Sequence, residues 1–232
     1  MQPSSTTVLD NVVWSALTGP QAALGEGGAL ARRFQQGIAP FAAMPRIDGE
    51  SLAALASLVP TGQSVAMVGT EELAACPGFD RLLHASLDQM VLGDVAAIVA
   101  PTGVAIERLG PTDVPDMLAL TAATKPGPFG PRTIELGAYY GIRSQGALVA
   151  MAGERLRAPG HCEVSAICVD AQSRGMGYAA ALTKHVAAAI LARSQTPFLH
   201  VLTSNESAIA LYRKLGFGLR RQLHLTNFAR TA

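Results

Sequence analysis

The sequence predicts an α/β (α+β) fold, a mixed sheet flanked by helices. Three observations carry that prediction. From Val104 onward, apolar runs of strand length alternate with longer helical patterns in the order βα(α)βββαβαβ, which implies a mixed sheet. One apolar run passes through a charged, Gly-rich turn straight into an alanine-rich helix, "VDAQSRGMGYAAAL", Val169 to Leu182. Hydrophobic residues make up 49% of the 232 and charged residues 15%, so the chain can bury a sizeable core.

In the N-terminal part, "ALGEGGALARRFQQ" predicts a helix over about Gly28 to Gln36, ended by Gly37 and Pro40. "DGESLAALASLVP" predicts a helix between Asp48, as N-cap, and Pro60. "QSVAMVGT" predicts a short buried strand. "FDRLLHASLDQMVL" has Leu82, Leu83, Leu87 and Met90 at helical spacing, and "VAAIVA" predicts a strand. "PTG", Pro101 to Gly103, marks the expected boundary between an N-terminal α/β domain (1–101) and a C-terminal domain (102–232).

The C-terminal part is easier to read. "VAIERLG" alternates as a strand does. "PTDVPDMLALTAAT" predicts a helix capped by Thr112 or Asp113, with Pro115 in its first turn. "KPGPFGPR" holds too many prolines and glycines to continue it and predicts a rigid loop; a short helix opens at Thr133. "GALVAMAGERLRAPG" and "HCEVSAICVD" predict two strands joined by a turn at Ala158 to Gly160. A helix from Tyr178 to Ala192, the strand "PFLHVLT", a helix capped by Asn205 and a last strand or hairpin complete the chain.

Bulk properties narrow the function classes. A net charge of +1 gives no reason to expect nucleic acid or an anionic membrane surface as partner. Mean hydropathy is +0.28, yet no stretch as long as the roughly 18 residues needed to cross a bilayer is continuously apolar. The first residues have no basic segment followed by a long apolar one, so no signal peptide is expected. Cys76, Cys162 and Cys168 are odd in number and lack metal-ligand spacing, which points to free thiols in a reducing, cytoplasmic setting. The five histidines share no metal-ligand spacing either, so no metal is expected.

The turn itself asks for an anion. Backbone N–H groups from Arg174 to Ala179 would converge at a helix N-terminus, where negative charge is stabilised. A dinucleotide fold is the first alternative, because Gly175, Gly177 and Ala180 match G-x-G-x-x-A. It fails on two counts. "DAQSR" separates strand from glycine, and the next strand ends in Thr203 and Ser204 without the required carboxylate. A P-loop fails because no G-K-[ST] follows.

Gln172-x-x-Gly175-x-Gly177 has the form Q/R-x-x-G-x-G/A and resembles the acyl-CoA-binding motif of the GCN5-related N-acetyltransferases (GNAT). Downstream, "NESAIALYRKLGF" resembles a second signature of that superfamily, with Asn205, Ala208, Leu211, Tyr212, Leu215, Gly216 and Phe217 in place. The resemblance covers about Val104 to Phe228 and is nearest to the FR47-like branch. It implies a mostly antiparallel GNAT-type sheet in the C-terminal half. The N-terminal half would be a cap over the acceptor cleft or a degenerate GNAT-like copy.

The implied activity is transfer of an acetyl or acyl group from acetyl-CoA to an amine, by direct attack in a ternary complex. A non-catalytic acyl-CoA-binding module is the alternative. The implied coenzyme A contacts are Ile167, Cys168, Val169, Gln172, Arg174, Gly175, Met176, Gly177, Tyr178, Ala179, Asn205, Ala208 and Tyr212. Glu163, the only carboxylate within its strand, shares a face with Ser165, Ile167 and Val169 by alternation and is the expected general base. The resemblance makes Tyr212 the expected acid for the departing thiolate and a backbone N–H near Ile167 or Cys168 the oxyanion donor. Phe129, Tyr139, Tyr140, Met151 and Glu154 are expected to line the acceptor site. The acceptor is a small-molecule or peptide amine, and the chain a monomer or homodimer.

Overall fold

Residues 7–98 and 103–231 are described by a computed structural model of the chain, and strands drawn from 64–230 join in one sheet. The chain begins with α1 (Val12–Leu17) and a small sheet of β1 (Gly25–Gly27), β2 (Arg32–Phe34) and β3 (Ala42–Ala43). The helix expected over Gly28 to Gln36 is absent. Gly27 adopts φ +107 and the chain turns back, so β2 pairs antiparallel with β1. Next come α2 (Gly49–Leu58), β4 (Ser64–Gly69) and β5 (Phe79–Leu92). The Asp48 side chain accepts from Ser51 N at 2.8 Å and caps α2 as expected.

β5 overturns the expected helix. Its 14 residues are extended, and the period-2 set Leu83, Ala85, Leu87 is the pattern that the fold uses. A strand between two partners is set by tertiary pairing, which overrides a coincidental helical spacing. "VAAIVA" opens as a 3-10 turn at Val95–Ala97; its last residues and Pro101 of the expected boundary lie outside the described residues.

The remaining elements follow the expected order. They are β6 (Glu107–Leu109), α3 (Val114–Thr124), β7 (Tyr139–Ser144), β8 (Ala147–Ala158), β9 (His161–Val169), α4 (Tyr178–Leu191), β10 (Thr196–Leu202), α5 (Glu206–Lys214) and β11 (Phe217–Arg230). Asp113 precedes α3, but its carboxylate accepts from Gly110 N at 2.8 Å rather than from the first turn of the helix.

The sheet has eight strands in the order β4-β11-β5-β10-β9-β8-β7-β6. Every neighbouring pair is antiparallel except β9 and β10. β5, from the N-terminal part, lies between β11 and β10, so the sheet runs across position 101. Helices cover both faces. Ala150 and Ala152 of β8 pack with Leu182, Val186 and Ile190 of α4 and with Ile209 and Tyr212 of α5. Met151, between them, packs with Met117 and Leu120 of α3 on the other face. Trp14, expected as a core anchor, packs half-buried against the cluster that α1 forms with Phe34, Leu87 and Phe198.

Candidate active site

The site starts from a defect in the sheet. β9 and β10 pair only at His161, Cys162 and Glu163 opposite Thr196, Pro197 and Phe198. Beyond that point the two strands part. Their opening belongs to a cleft of ≈ 970 Å³, lined on one side by Thr121 and Thr124 of α3 and on the other by Ala208, Leu211 and Tyr212 of α5. The cleft therefore joins the two faces of the sheet.

A bulge in β9 shapes one wall. Ala166 has φ +52, and the pairing with β8 shifts between Ser165–Gly153 and Cys168–Met151. The extra residue breaks the alternation expected from Glu163 through Val169. Ile167, Cys168 and Val169 all line the cleft, two adjacent pairs that a regular strand would send to opposite faces.

The Gly-rich turn follows. Asp170 accepts from Gln172 N at 2.9 Å and closes the turn after β9. Gly175 and Gly177 have φ of +79 and +78, a conformation that costs an L-residue strain. A Cβ built at either would meet nothing within 4 Å, so the space above the turn is free for a ligand. Gly177 is the N-cap of α4 and supplies no side-chain cap, leaving first-turn N–H groups without an intrahelical partner. With Arg174 also on the cleft wall, this donor set suits a pyrophosphate.

Of the expected coenzyme A contacts, Ile167, Cys168, Val169, Arg174, Gly175, Gly177, Tyr178, Ala179, Asn205, Ala208 and Tyr212 line the cleft. Gln172 and Met176 are not on its wall, and Met176 is 60% exposed. Asn205 spends its Oδ1 on the α5 cap, accepting from Ala208 N at 3.2 Å. Tyr212 stacks edge-on with Phe217, and burial pushes its phenol up to about 12. It is therefore a protonated donor at neutral pH. Cys168 also lines the cleft, but burial raises its thiol to about 11, which makes it a poor nucleophile.

Glu163 is fully buried and has no free lone pair aimed at a substrate. Arg155 Nε donates to its Oε2 at 2.8 Å and Arg155 Nη2 to its Oε1 at 2.6 Å. The backbone N–H of Leu156 donates to Oε2 at 3.2 Å, and His200 Nδ1 lies 2.7 Å from Oε1. Burial works against this charge, but the Arg155 guanidinium and His200 overcome it and hold the carboxyl well below the usual carboxylate range. So stabilised a carboxylate is a weak base, and the expectation that Glu163 takes the amine proton is corrected. Its effect on the cleft is indirect, because Arg155 and His200 both line the wall. His161, beside it in sequence, turns to Pro159 O at 3.0 Å.

None of the residues expected to wall the acceptor site lines the cleft. Tyr139 and Met151 are fully buried in the core under α3. Glu154 accepts from Arg193, just past α4, at 2.7 Å. Tyr140 packs edge-on against His185, 4.4 Å between ring centres. Phe129 packs edge-on against Tyr139 and lines a separate cavity of ≈ 480 Å³, although its neighbours Lys125 to Pro128 do reach the cleft. The end of the cleft away from α4 is instead made by Phe41, β4, β5 and β11. Sequence reading missed it because Leu83, Ala85 and Leu87 were hidden within an apparent helical spacing.

Pairing of β5 with β11 also brings together histidines that are far apart in sequence. His84 Nε2 lies 3.0 Å from His224 Nδ1 and 3.8 Å from Glu72 Oε2, whose other oxygen is paired with Arg81. By strand alternation this group faces away from Leu83 and Ala85, on the far side of the sheet from the cleft.

Comparison with known proteins agrees with this geometry. A family model described as FR47-like protein matches residues 139–225. Over 92 residues the chain is 40% identical to N-alpha-acetyltransferase RimI of Mycobacterium tuberculosis; the match covers 37% of the chain and 57% of that relative, a little over half its length. A GNAT-family protein of known crystal structure from Novosphingobium aromaticivorans is 39% identical, with a TM-score of 0.87 over 97% of this chain and 99% of that one. A GCN5-related N-acetyltransferase from Kribbella flavida shares the fold at 16% identity, with a TM-score of 0.64 over 100% of this chain and 97% of that one. The split between β9 and β10, the uncapped Gly-rich start of α4 and a match along nearly the whole chain lead to one conclusion: this chain belongs to the GNAT family of N-acetyltransferases.

Proposed function

We propose that the chain transfers an acetyl group from acetyl-CoA to a primary amine by direct attack within a ternary complex. The observation that carries the reading is the cleft through the sheet, with the uncapped N-terminus of α4 at one end and an apolar sheet face at the other. In this reading the first-turn N–H groups of α4 and the Arg174 guanidinium hold the pyrophosphate. When bound, acetyl-CoA supplies an acyl carbon that an amine can attack. The N–H of Ile167 or Cys168 then faces the negative charge that grows on the acyl oxygen. The Tyr212 hydroxyl hands its proton to the departing sulfur, and the proton lost by the amine restores the balance.

No free carboxylate is needed to deprotonate the amine. An alkylammonium has a pKa of about 10 in water, and both desolvation and nearby positive charge lower it. The described residues lining the cleft include Lys125, Arg155 and Arg174 and no aspartate or glutamate. Such a lining favours the neutral amine, the form that attacks. The relative named an N-alpha-acetyltransferase makes an α-amine a natural acceptor to test first.

The sequestered Glu163 also favours a second reading, an acyl-CoA-binding module without turnover. Thiol release from acetyl-CoA in the presence of an amine series separates the two. Amine-dependent release supports the transferase. Tight binding of acetyl-CoA with release no faster than without protein supports the module and defeats the first reading.

A further inference from the structure

We propose that the acceptor is a small amine with an uncharged, apolar body, seated on the face of β4, β11 and β5. This inference rests on the acyl-transfer reading and names the substrate class for the same cleft. Register builds the platform. Leu225 of β11 lies between Val68 and Ala85, and Asn227 lies between Ala66 and Leu83. All six side chains line the cleft at the end away from α4.

Two features of this platform point to a ligand. Leu83 is 50% exposed, although it sits on a cleft wall among apolar neighbours. Asn227 is the one polar member, and its Oδ1 is buried without a hydrogen-bond partner. An unsatisfied buried acceptor is costly, and an N–H on the ligand would relieve it. The platform therefore combines area for an apolar body with one acceptor for its donor.

Charge excludes other amines. Polyamines, aminoglycosides and lysine-rich segments carry further cations that need carboxylates, and the described cleft residues offer none. The Glu163 carboxylate is buried behind Arg155 and neutralised by it. A second ammonium group would find no counter-charge on the wall and would meet Lys125. A cleft of ≈ 970 Å³ that must also take the pantetheine arm leaves room for a small molecule.

The test uses the whole chain and three probes: 2-phenylethylamine, spermidine and a peptide with an N-terminal leucine. Amine-dependent thiol release gives kcat and KM, and calorimetry gives acetyl-CoA affinity separately. The inference expects phenylethylamine to be preferred over spermidine by roughly tenfold or more in kcat/KM, the scale of a few apolar contacts in a pocket. Leu83→Asp, at a site that tolerates charge in the free protein, should raise KM for phenylethylamine and narrow its lead over spermidine, with acetyl-CoA affinity unchanged. Asn227→Leu should raise KM without lowering thermal stability, because it removes an unpartnered buried acceptor. Preference for spermidine, an unchanged KM in Leu83→Asp, or acetylation of the peptide but of neither free amine would overturn the inference while acetyl-CoA still binds. Failure of acetyl-CoA to bind would instead defeat the underlying acyl-transfer reading.

Discussion

A buried carboxylate keeps its charge only when both oxygens are occupied, and at Glu163 two donors of Arg155, one backbone N–H and His200 occupy them. Glu163→Gln should therefore cost about 3–5 kcal/mol of stability, since Arg155 is left buried without its counter-charge. Thermal and urea unfolding check this. Acid follows the same logic. The folded carboxyl lies below its ordinary 4.5, so its contribution is present above that pH and is lost as pH falls below it. Activity lost in Glu163→Gln should not return at high pH, because the residue positions Arg155 and His200. An alkaline pH–rate profile that restores the rate would identify a base after all. Tyr212→Phe should lower kcat by a similar factor across the neutral range and well above it, since the phenol is half ionised only at about 12, with acetyl-CoA affinity nearly unchanged. The importance of Glu163 was legible in the sequence, as the lone carboxylate of its strand. Its role was not, because Arg155 and His200 reach it from two neighbouring strands.

Elements were legible in proportion to how far local pattern decides them. α2, α4 and α5 have caps, breakers or turns that a sequence displays, and Asp48, Gly177 and Asn205 stand at their starts. β5 has neither a turn signal inside it nor clean alternation at its buried end, and pairing with β11 and β10 makes it a strand. The bulge at Ala166 is likewise invisible in sequence, because a non-glycine residue occupies the left-handed position. Gly177→Trp places a ring over the uncapped N–H groups and strains φ +78, a cost of roughly 1–2 kcal/mol. Acetyl-CoA affinity should fall below detection while circular dichroism keeps its native shape. NAD(H) should give no thermal stabilisation at the same site, since no carboxylate ends the following strand.

At the scale of the whole molecule, the sheet order makes the N-terminal part integral to the cleft. β5 separates β11 from β10, and β4 with β5 carries most of the apolar cleft wall away from α4. Residues 102–232 expressed alone would leave β10 without its antiparallel partner and β11 without any partner strand, exposing three strand edges. That fragment should not give a cooperative unfolding transition. A sharp transition with native-like circular dichroism would show that the two parts fold separately.

In the proposed complex acetyl-CoA enters the opening between β9 and β10 with its pyrophosphate at the start of α4. Calorimetric titration of acetyl-CoA into the wild-type chain and Gly177→Trp, side by side, tests it most directly. One-site, saturable binding to the wild type and none to the folded variant is expected. Equal affinity in the two proteins, or no binding to the wild type, would contradict it.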